Sequence, residues 1–501
     1  MSLSVLLSLL LTVPSLPLSG FAAASPVESP SAVATDEKAE VEVLGQALAK
    51  LLNSGQEDPH WFLNHYAPST IASMGEDRIV LILNMFRRDM VGAKLRGVRS
   101  LGEHSWSVSF YVAETNRGAV FELTIEEQSP HRILGLGARL VDGDPHIPGI
   151  VDGMSSKAMA MVIERYVGEL AAADQFSGAV LLAKDGEVVF EKAWGLASRR
   201  YDVPNNLETR FNLGSMNKMF TAVALVQLQE AGKLNFHDKL IQHLPNFPNR
   251  ALAEKVSLHH LLTHSSGMGN FWEAMAEVNW TLLRTPSDYL PLFGKDDLMF
   301  EPGMQFSYSN NGFVTLGLVI EAVSGMSYFD YVRDNIFEPL GMQSTDSFAM
   351  DEPVKNLAIG YTRSNPEGDG HGQDGPLRNN LYLHRVQGGP AGGGFSTARD
   401  LLRFANGLQF GDLLSPKGVE TLLTGKVPTP WGPEVRYAYG FMAGAKEGHE
   451  KFGHSGGAPG INSVLSVYPA DGYTVIVLSN CDTGGSVVGD AIEQMILRSD
   501  K

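Results

Sequence analysis

The stretch Phe211-Asn-Leu-Gly-Ser-Met-Asn-Lys-Met-Phe-Thr-Ala-Val-Ala-Leu225 begins as a polar turn and continues as an apolar helical run, with Ser215 and Lys218 at its head. Residues i and i+3 share one helix face, so the amine can reach the hydroxyl oxygen. A serine alone is a weak nucleophile, and an adjacent base activates it. Free backbone N–H groups at a helix start add stabilisation for a developing oxyanion. The pair is therefore a candidate nucleophile and base, although Ser-x-x-Lys taken alone also occurs by chance on exposed helices.

Two later segments add weight to it. Glu301-Pro-Gly-Met-Gln-Phe-Ser-Tyr-Ser-Asn310 supplies Tyr308 and Asn310, and Gly453-His-Ser-Gly-Gly457 supplies His454, Gly456 and Gly457. In chain order these give Ser-x-x-Lys, Tyr-Ser-Asn and His-Ser-Gly. The trio resembles the serine β-lactamase and penicillin-binding-protein superfamily. The tyrosine in the second motif is similar to the class C β-lactamase and peptidase S12 branch. Gly232-Lys-Leu-Asn-Phe-His-Asp238, Leu261-Leu-Thr-His-Ser-Ser-Gly267 and Gly392-Gly-Gly-Phe-Ser-Thr-Ala-Arg-Asp400 follow the same branch in order. The resemblance covers the chain from about residue 155 onward.

What the resemblance implies is an α+β fold of the β-lactamase/transpeptidase type, an antiparallel sheet flanked by helices with a mainly helical subdomain. The catalytic set would be Ser215, Lys218 and Tyr308. Asn310 would bind the substrate carbonyl and orient Lys218, His454 and Gly456 would border the substrate, and the backbone N–H groups of Ser215 and Gly457 would form the oxyanion hole. Lysine and tyrosine, with ordinary pKa values of about 10.4 and about 10, are both protonated at neutral pH, so the site must depress one of them. Close contact favours Lys⁺ beside Tyr⁻, which makes Tyr308 the expected base, with neutral Lys218 the alternative. Class C β-lactamases carry lysine where this chain has His454, a residue largely neutral at pH 7 given an ordinary pKa of about 6.5. Histidine there resembles the D-aminopeptidase, D-alanyl-D-alanine carboxypeptidase and esterase members. The expected activity is an exported serine hydrolase that forms an acyl-enzyme and cleaves ester, amide or peptide bonds. A class C-type β-lactamase and a catalytically slow penicillin-binding sensor are the rivals.

The 501 residues exceed one ordinary core, and 44% hydrophobic with 19% charged residues describes a globular protein. A net charge of −17 disfavours nucleic acid and anionic membranes as partners, and the resemblance implies a small-molecule or peptide substrate. With one cysteine, Cys481, no internal disulfide forms. No Cys/His cluster has zinc-site spacing, and neither metal nor cofactor is expected. His260 and His264 lack the intervening glutamate of a metalloprotease helix, and they are assigned to structure together with His237 and His243.

Residues 1–25 combine a short apolar run, Pro14 and Pro17, and small residues near Ala24. They read as a secretory signal, giving a periplasmic or secreted protein, although no Lys or Arg precedes the run. No later run is long enough to be an integral membrane segment of the mature chain. Residues 26–36 are expected to be a linker. In 37–141, helical periodicity through Val43, Leu44, Leu48, Leu51 and Leu52, a second helix over 77–90, and strand alternation at Trp106–Val112 and Phe121–Ile125 predict a small α+β domain. It resembles the nuclear-transport-factor-like cone fold and is expected to serve as a packing or positioning module. A Pro/Gly-rich joint, 142–154, precedes the catalytic domain, 155–501. Residues 364–378 are expected to form a mobile polar loop.

Overall fold

A computed structural model describes residues 32–499, apart from 56–57, 113–116, 143, 146, 148, 276–277 and 365–374. The expected signal peptide and most of the 364–378 loop lie outside the described residues. The chain forms two compact units that divide between Pro148 and Gly149.

In the first unit, helix α1 (Ala32–Leu52) and helix α2 (Glu76–Asp89) lie with shorter turns against an antiparallel sheet of β1 (Lys94–Gly102), β2 (Ser105–Val112), β3 (Arg117–Ile125) and β4 (Ile133–Asp142), in that order. Val41, Leu44, Leu48, Leu51 and Leu52 of α1 meet Val108, Phe110, Phe121 and Leu123 in one core. Such alternation on the strands and helical spacing on α1 are what bury one face of each element. Two expectations are corrected. The helix already starts at Ala32, inside the expected linker, and Val43 is 64% exposed because the buried stripe runs through Val41 instead.

The second unit is built on an eight-stranded antiparallel sheet. Its strands are β5 (Gly178–Lys184), β6 (Glu187–Trp194), β7 (Val427–Thr429), β8 (Gly432–Tyr437), β9 (Met442–Lys446), β10 (His449–Ala458), β11 (Ile461–Tyr468) and β12 (Tyr473–Ser479), ordered β7-β8-β9-β10-β11-β12-β5-β6. The ends of the unit join where β12 pairs with β5, Gly178 opposite Ser479 and Leu181 opposite Ile476. These two strands are buried on both faces, which is why they read as unbroken apolar runs. The antiparallel sheet implied by the resemblance is the one observed, with N- and C-terminal strands paired and the helical portion between them in sequence.

Helix α3 (Asn217–Glu230) runs through the middle of this unit and is apolar nearly all round: Met219, Phe220, Ala222, Val223, Ala224, Leu225, Val226 and Leu228 are at most 1% exposed. Each large side chain sealed this way contributes about 1.5–3 kcal/mol of burial. Helix α4 (Asn310–Ser324) packs alongside, and its N-cap Ser309 accepts from Gly312 N. Among the described residues no single helix is long and apolar enough to cross a membrane.

Candidate active site

Ser215 occupies a single 3₁₀ turn, Gly214–Met216, immediately before α3, and Lys218 lies in the first turn of that helix. The turn is held from below: Asn212 Oδ1 accepts from Gly214 N at 2.9 Å, and Gly214 O accepts from Gly393 N at 3.0 Å. From the sheet side β10 approaches so closely that a β-carbon on Gly456 would sit 1.9 Å from Leu213 O. A β-carbon on Gly214, whose φ is +50°, would meet Gly457 N at 3.0 Å. Glycine at both places therefore lets the nucleophile turn and the strand touch backbone to backbone.

The Lys218 amine is fully buried and lies 3.2 Å from Ser215 Oγ. It donates to Asn310 Oδ1 at 2.8 Å and to the carbonyl of Ala391. Burial pushes its pKa well down, and the positive charge of Arg385 adds to the effect. A neutral amine has two N–H groups, and two acceptors take them. In that form its lone pair would be left for the Ser215 proton, whereas the charged amine donates to Ser215 Oγ as well.

Tyr308 borders the same cavity as Ser215, whose hydroxyl acts on the tyrosine's pKa. One side of its ring opens onto that cavity, yet enough protein surrounds the hydroxyl that burial raises its pKa, Ser215 opposing only in part. Lys218 Nζ lies 4.8 Å from the Tyr308 ring centroid, over the ring. Burial drives both groups toward their neutral forms, which favours the alternative of a neutral Lys218 over the Lys⁺/Tyr⁻ pair, and the amine sits over the ring.

Asn310 is held in turn by Asn270, whose Oδ1 accepts from Asn310 N at 2.8 Å and from Asn310 Nδ2 at 2.9 Å. Asn270 Nδ2 donates to Tyr308 O at 3.0 Å, so one side chain ties both motif residues together. One amide hydrogen of Asn310 remains for a ligand. His264 is buried, with Nδ1 accepting from Ser309 N at 3.0 Å and its ring 4.1 Å from that of Tyr308. Its assignment to structure agrees with this packing. His260 belongs to the Ser257 capping box, and burial lowers it to about 4. His243 Nε2 lies 2.9 Å from Asp238 Oδ2, a contact in keeping with its assignment to structure.

His454 lies on β10, buried, with Nε2 3.0 Å from the Tyr437 hydroxyl and Nδ1 2.6 Å from Ser455 O. The carbonyl only accepts, so Nδ1 carries the proton. Burial pushes the ring down to about 3, so Nε2 accepts from Tyr437. Gly457 has open space on its β-carbon side, whereas Gly456 faces the nucleophile turn and does not border the cavity. A cavity of about 320 Å³ is bordered by Ser215, Tyr308, His454, Ser455 and Gly457, with Trp431 and Met442 completing its wall.

Motif reading brought together Ser215, Lys218, Tyr308, Asn310, His454 and Gly457. It missed Asn270, Ala391, Tyr437, Trp431 and Met442. Asn270 lies three residues beyond the Leu261–Gly267 stretch and Ala391 one residue before Gly392, so extending those stretches would have reached both. Among the described residues no cluster of His, Cys, Asp and Glu has the makings of a metal site.

Residues 163–498 match the beta-lactamase family. Penicillin-binding protein 4* of Bacillus subtilis (strain 168) is 31% identical over 321 residues, which is 61% of this chain and 68% of that protein. A penicillin binding protein from Bacillus halodurans superposes with a TM-score of 0.59 at 34% identity, over 66% of this chain and 98% of the other. A D-stereospecific amidohydrolase from Streptomyces sp. does so at 0.54 and 27%, over 66% of this chain and 97% of its own.

Proposed function

Because the chain belongs to the beta-lactamase family and is a serine hydrolase, we propose that it cleaves ester or amide bonds through an acyl-enzyme on Ser215, with neutral Lys218 as the base. The Ser215 hydroxyl gives its proton to Nζ as Oγ bonds to the substrate carbonyl carbon. The carbonyl oxygen becomes an oxyanion facing the backbone N–H groups of Ser215 and Gly457. Collapse expels the alcohol or amine, which takes the proton back by way of the Tyr308 hydroxyl, and water then releases the acyl group in the same way. The observation that carries this reading is the sealed amine 3.2 Å from Oγ, with both of its N–H groups engaged elsewhere.

The substrate class we propose is an ester, amide or peptide, D-configured amides included, since the Streptomyces amidohydrolase is described as D-stereospecific. A neutral His454 offers a β-lactam carboxylate no cation, which favours this over β-lactamase activity. Export to the periplasm or medium is proposed from residues 1–25 alone. Intact-mass measurement after exposure to a fluorophosphonate, a penicillin and a p-nitrophenyl ester tests the reading. Wild type gains the mass of the phosphonyl group and Ser215→Ala does not, with ester turnover exceeding penicillin turnover. Equal labelling of the two proteins rules out Ser215, and rapid penicillin turnover selects the β-lactamase.

A further inference from the structure

We propose that the cavity beside Ser215 takes an uncharged aromatic or branched aliphatic group of the substrate, with Trp431 as its specificity-determining residue. This rests on the serine hydrolase reading and narrows its substrate class.

The wall formed by Trp431 is presented by the turn between β7 and β8. Trp431 N donates to Thr429 Oγ1 at 3.3 Å, and that hydroxyl donates on to Val435 O at 2.9 Å, so the tip of the hairpin is tied to its own strands. The indole stands edge-on to Phe306, ring centroids 5.4 Å apart at 79°, and 6.2 Å from Tyr308 at 66°. Those contacts fix its inner edge, yet 45% of the residue is exposed, next to the cavity that also borders Ser215. A large aromatic surface held in place and half open to water gains by being covered with an apolar group. Met442, on β9 opposite Gly453, adds a thioether to the same wall, a side chain that adapts to irregular apolar shapes.

The other wall excludes charge. Both ring nitrogens of His454 are already engaged, one by the Tyr437 hydroxyl and one by Ser455 O. The ring therefore offers no free N–H to an anion. Among the described residues bordering the cavity none is Lys, Arg, Asp or Glu. A carboxylate placed there would lose water against an indole, a thioether and a neutral imidazole, with no cation and only hydroxyls such as that of Ser455 to receive it. A phenyl or branched alkyl group loses nothing of the kind.

Three p-nitrophenyl esters that share a leaving group test this: acetate, phenylacetate and the monoester of glutaric acid. In wild type kcat/KM is expected to be about tenfold or more higher for phenylacetate than for acetate, and lowest for the glutarate. Trp431→Ala should collapse the phenylacetate-to-acetate ratio by about tenfold, while Trp431→Phe retains most of it; a ratio is insensitive to partial misfolding. Glutarate as the best substrate, or an unchanged ratio in Trp431→Ala, overturns the inference. A second arm needs no turnover: calorimetric binding of phenylacetamide and of glutaramate to Ser215→Ala. Preference for phenylacetamide without ester hydrolysis by wild type would sink the hydrolase reading and keep the inference. Hydrolysis without the preference would do the reverse.

Discussion

On one side of the Ser215 hydroxyl the Lys218 amine is sealed from water and fitted to Asn310 and Ala391, whereas on the other a cavity opens between Trp431 and the neutral ring of His454. The first region is polar, closed and cross-linked by hydrogen bonds. The second is apolar, open and bordered by surfaces that wait for a partner. On the proposed mechanism the difference separates two tasks: the closed side sets the protonation and direction of a base, and the open side offers area to whatever substrate arrives. Damage on the closed side should therefore appear in kcat, and damage on the open side in discrimination between substrates.

The largest effect expected is from Lys218→Met. With the base gone and its volume nearly kept, kcat/KM for p-nitrophenyl acetate should fall by about 10³-fold or more, while far-UV circular dichroism stays that of wild type. Retention of a tenth of the activity would move the base elsewhere. Asn270→Ala comes next. It removes the acceptor that orients Asn310 and the donor to Tyr308 O, at about 1–3 kcal/mol for such bonds, so kcat should drop about 10–100-fold with KM little changed. A change confined to KM would place Asn270 on the recognition side and break the comparison.

A smaller effect concerns pH. Lys218 must be neutral to accept a proton, and burial holds its pKa well below the ordinary value, so activity is lost as pH falls through that lowered value. His454, at about 3, does not titrate in the neutral range. The acid limb of kcat/KM should keep its position in His454→Gln, and a limb that moves would assign it to the histidine. The smallest effect is on stability. Because the folded pKa of Lys218 is depressed, the unfolded chain binds the extra proton below about 10.5, and stability rises with pH toward that value by at most about 1.4 kcal/mol per unit. Urea denaturation should show that slope in wild type and a shallower one in Lys218→Met.

Much of the closed side was legible from the sequence because its side chains sit in short motifs whose local geometry follows from spacing. Ser215 and Lys218 share a helix start, and Tyr308 with Asn310 flanks the N-cap of α4. The protonation of the pair was not legible. Contact alone suggested Lys⁺ beside Tyr⁻, but the full burial of Lys218 comes from α3 being wrapped on every side, a property of the tertiary fold. Ala391 contributes only a backbone carbonyl, which no residue type advertises. Asn270 is 40 residues from the side chain it holds. The open side was hidden for another reason: Trp431 and Met442 are ordinary apolar letters until the order β8-β9-β10 carries them beside His454. In the first unit, β2 and β3 were readable by alternation. β1 and β4 were not, for their burial patterns do not alternate cleanly.

The contact of Leu213–Gly214 with Gly456 leaves room for nothing larger than hydrogen at Gly456. Nucleophile and oxyanion donors are thereby keyed together by main chain, before any loop takes its shape. On the proposed reading a change at the tip bearing Trp431 would alter which substrate is favoured, while a single added methyl at 456 would pry the reacting parts asunder. The reaction and its appetite would then rest on different stretches of the polypeptide.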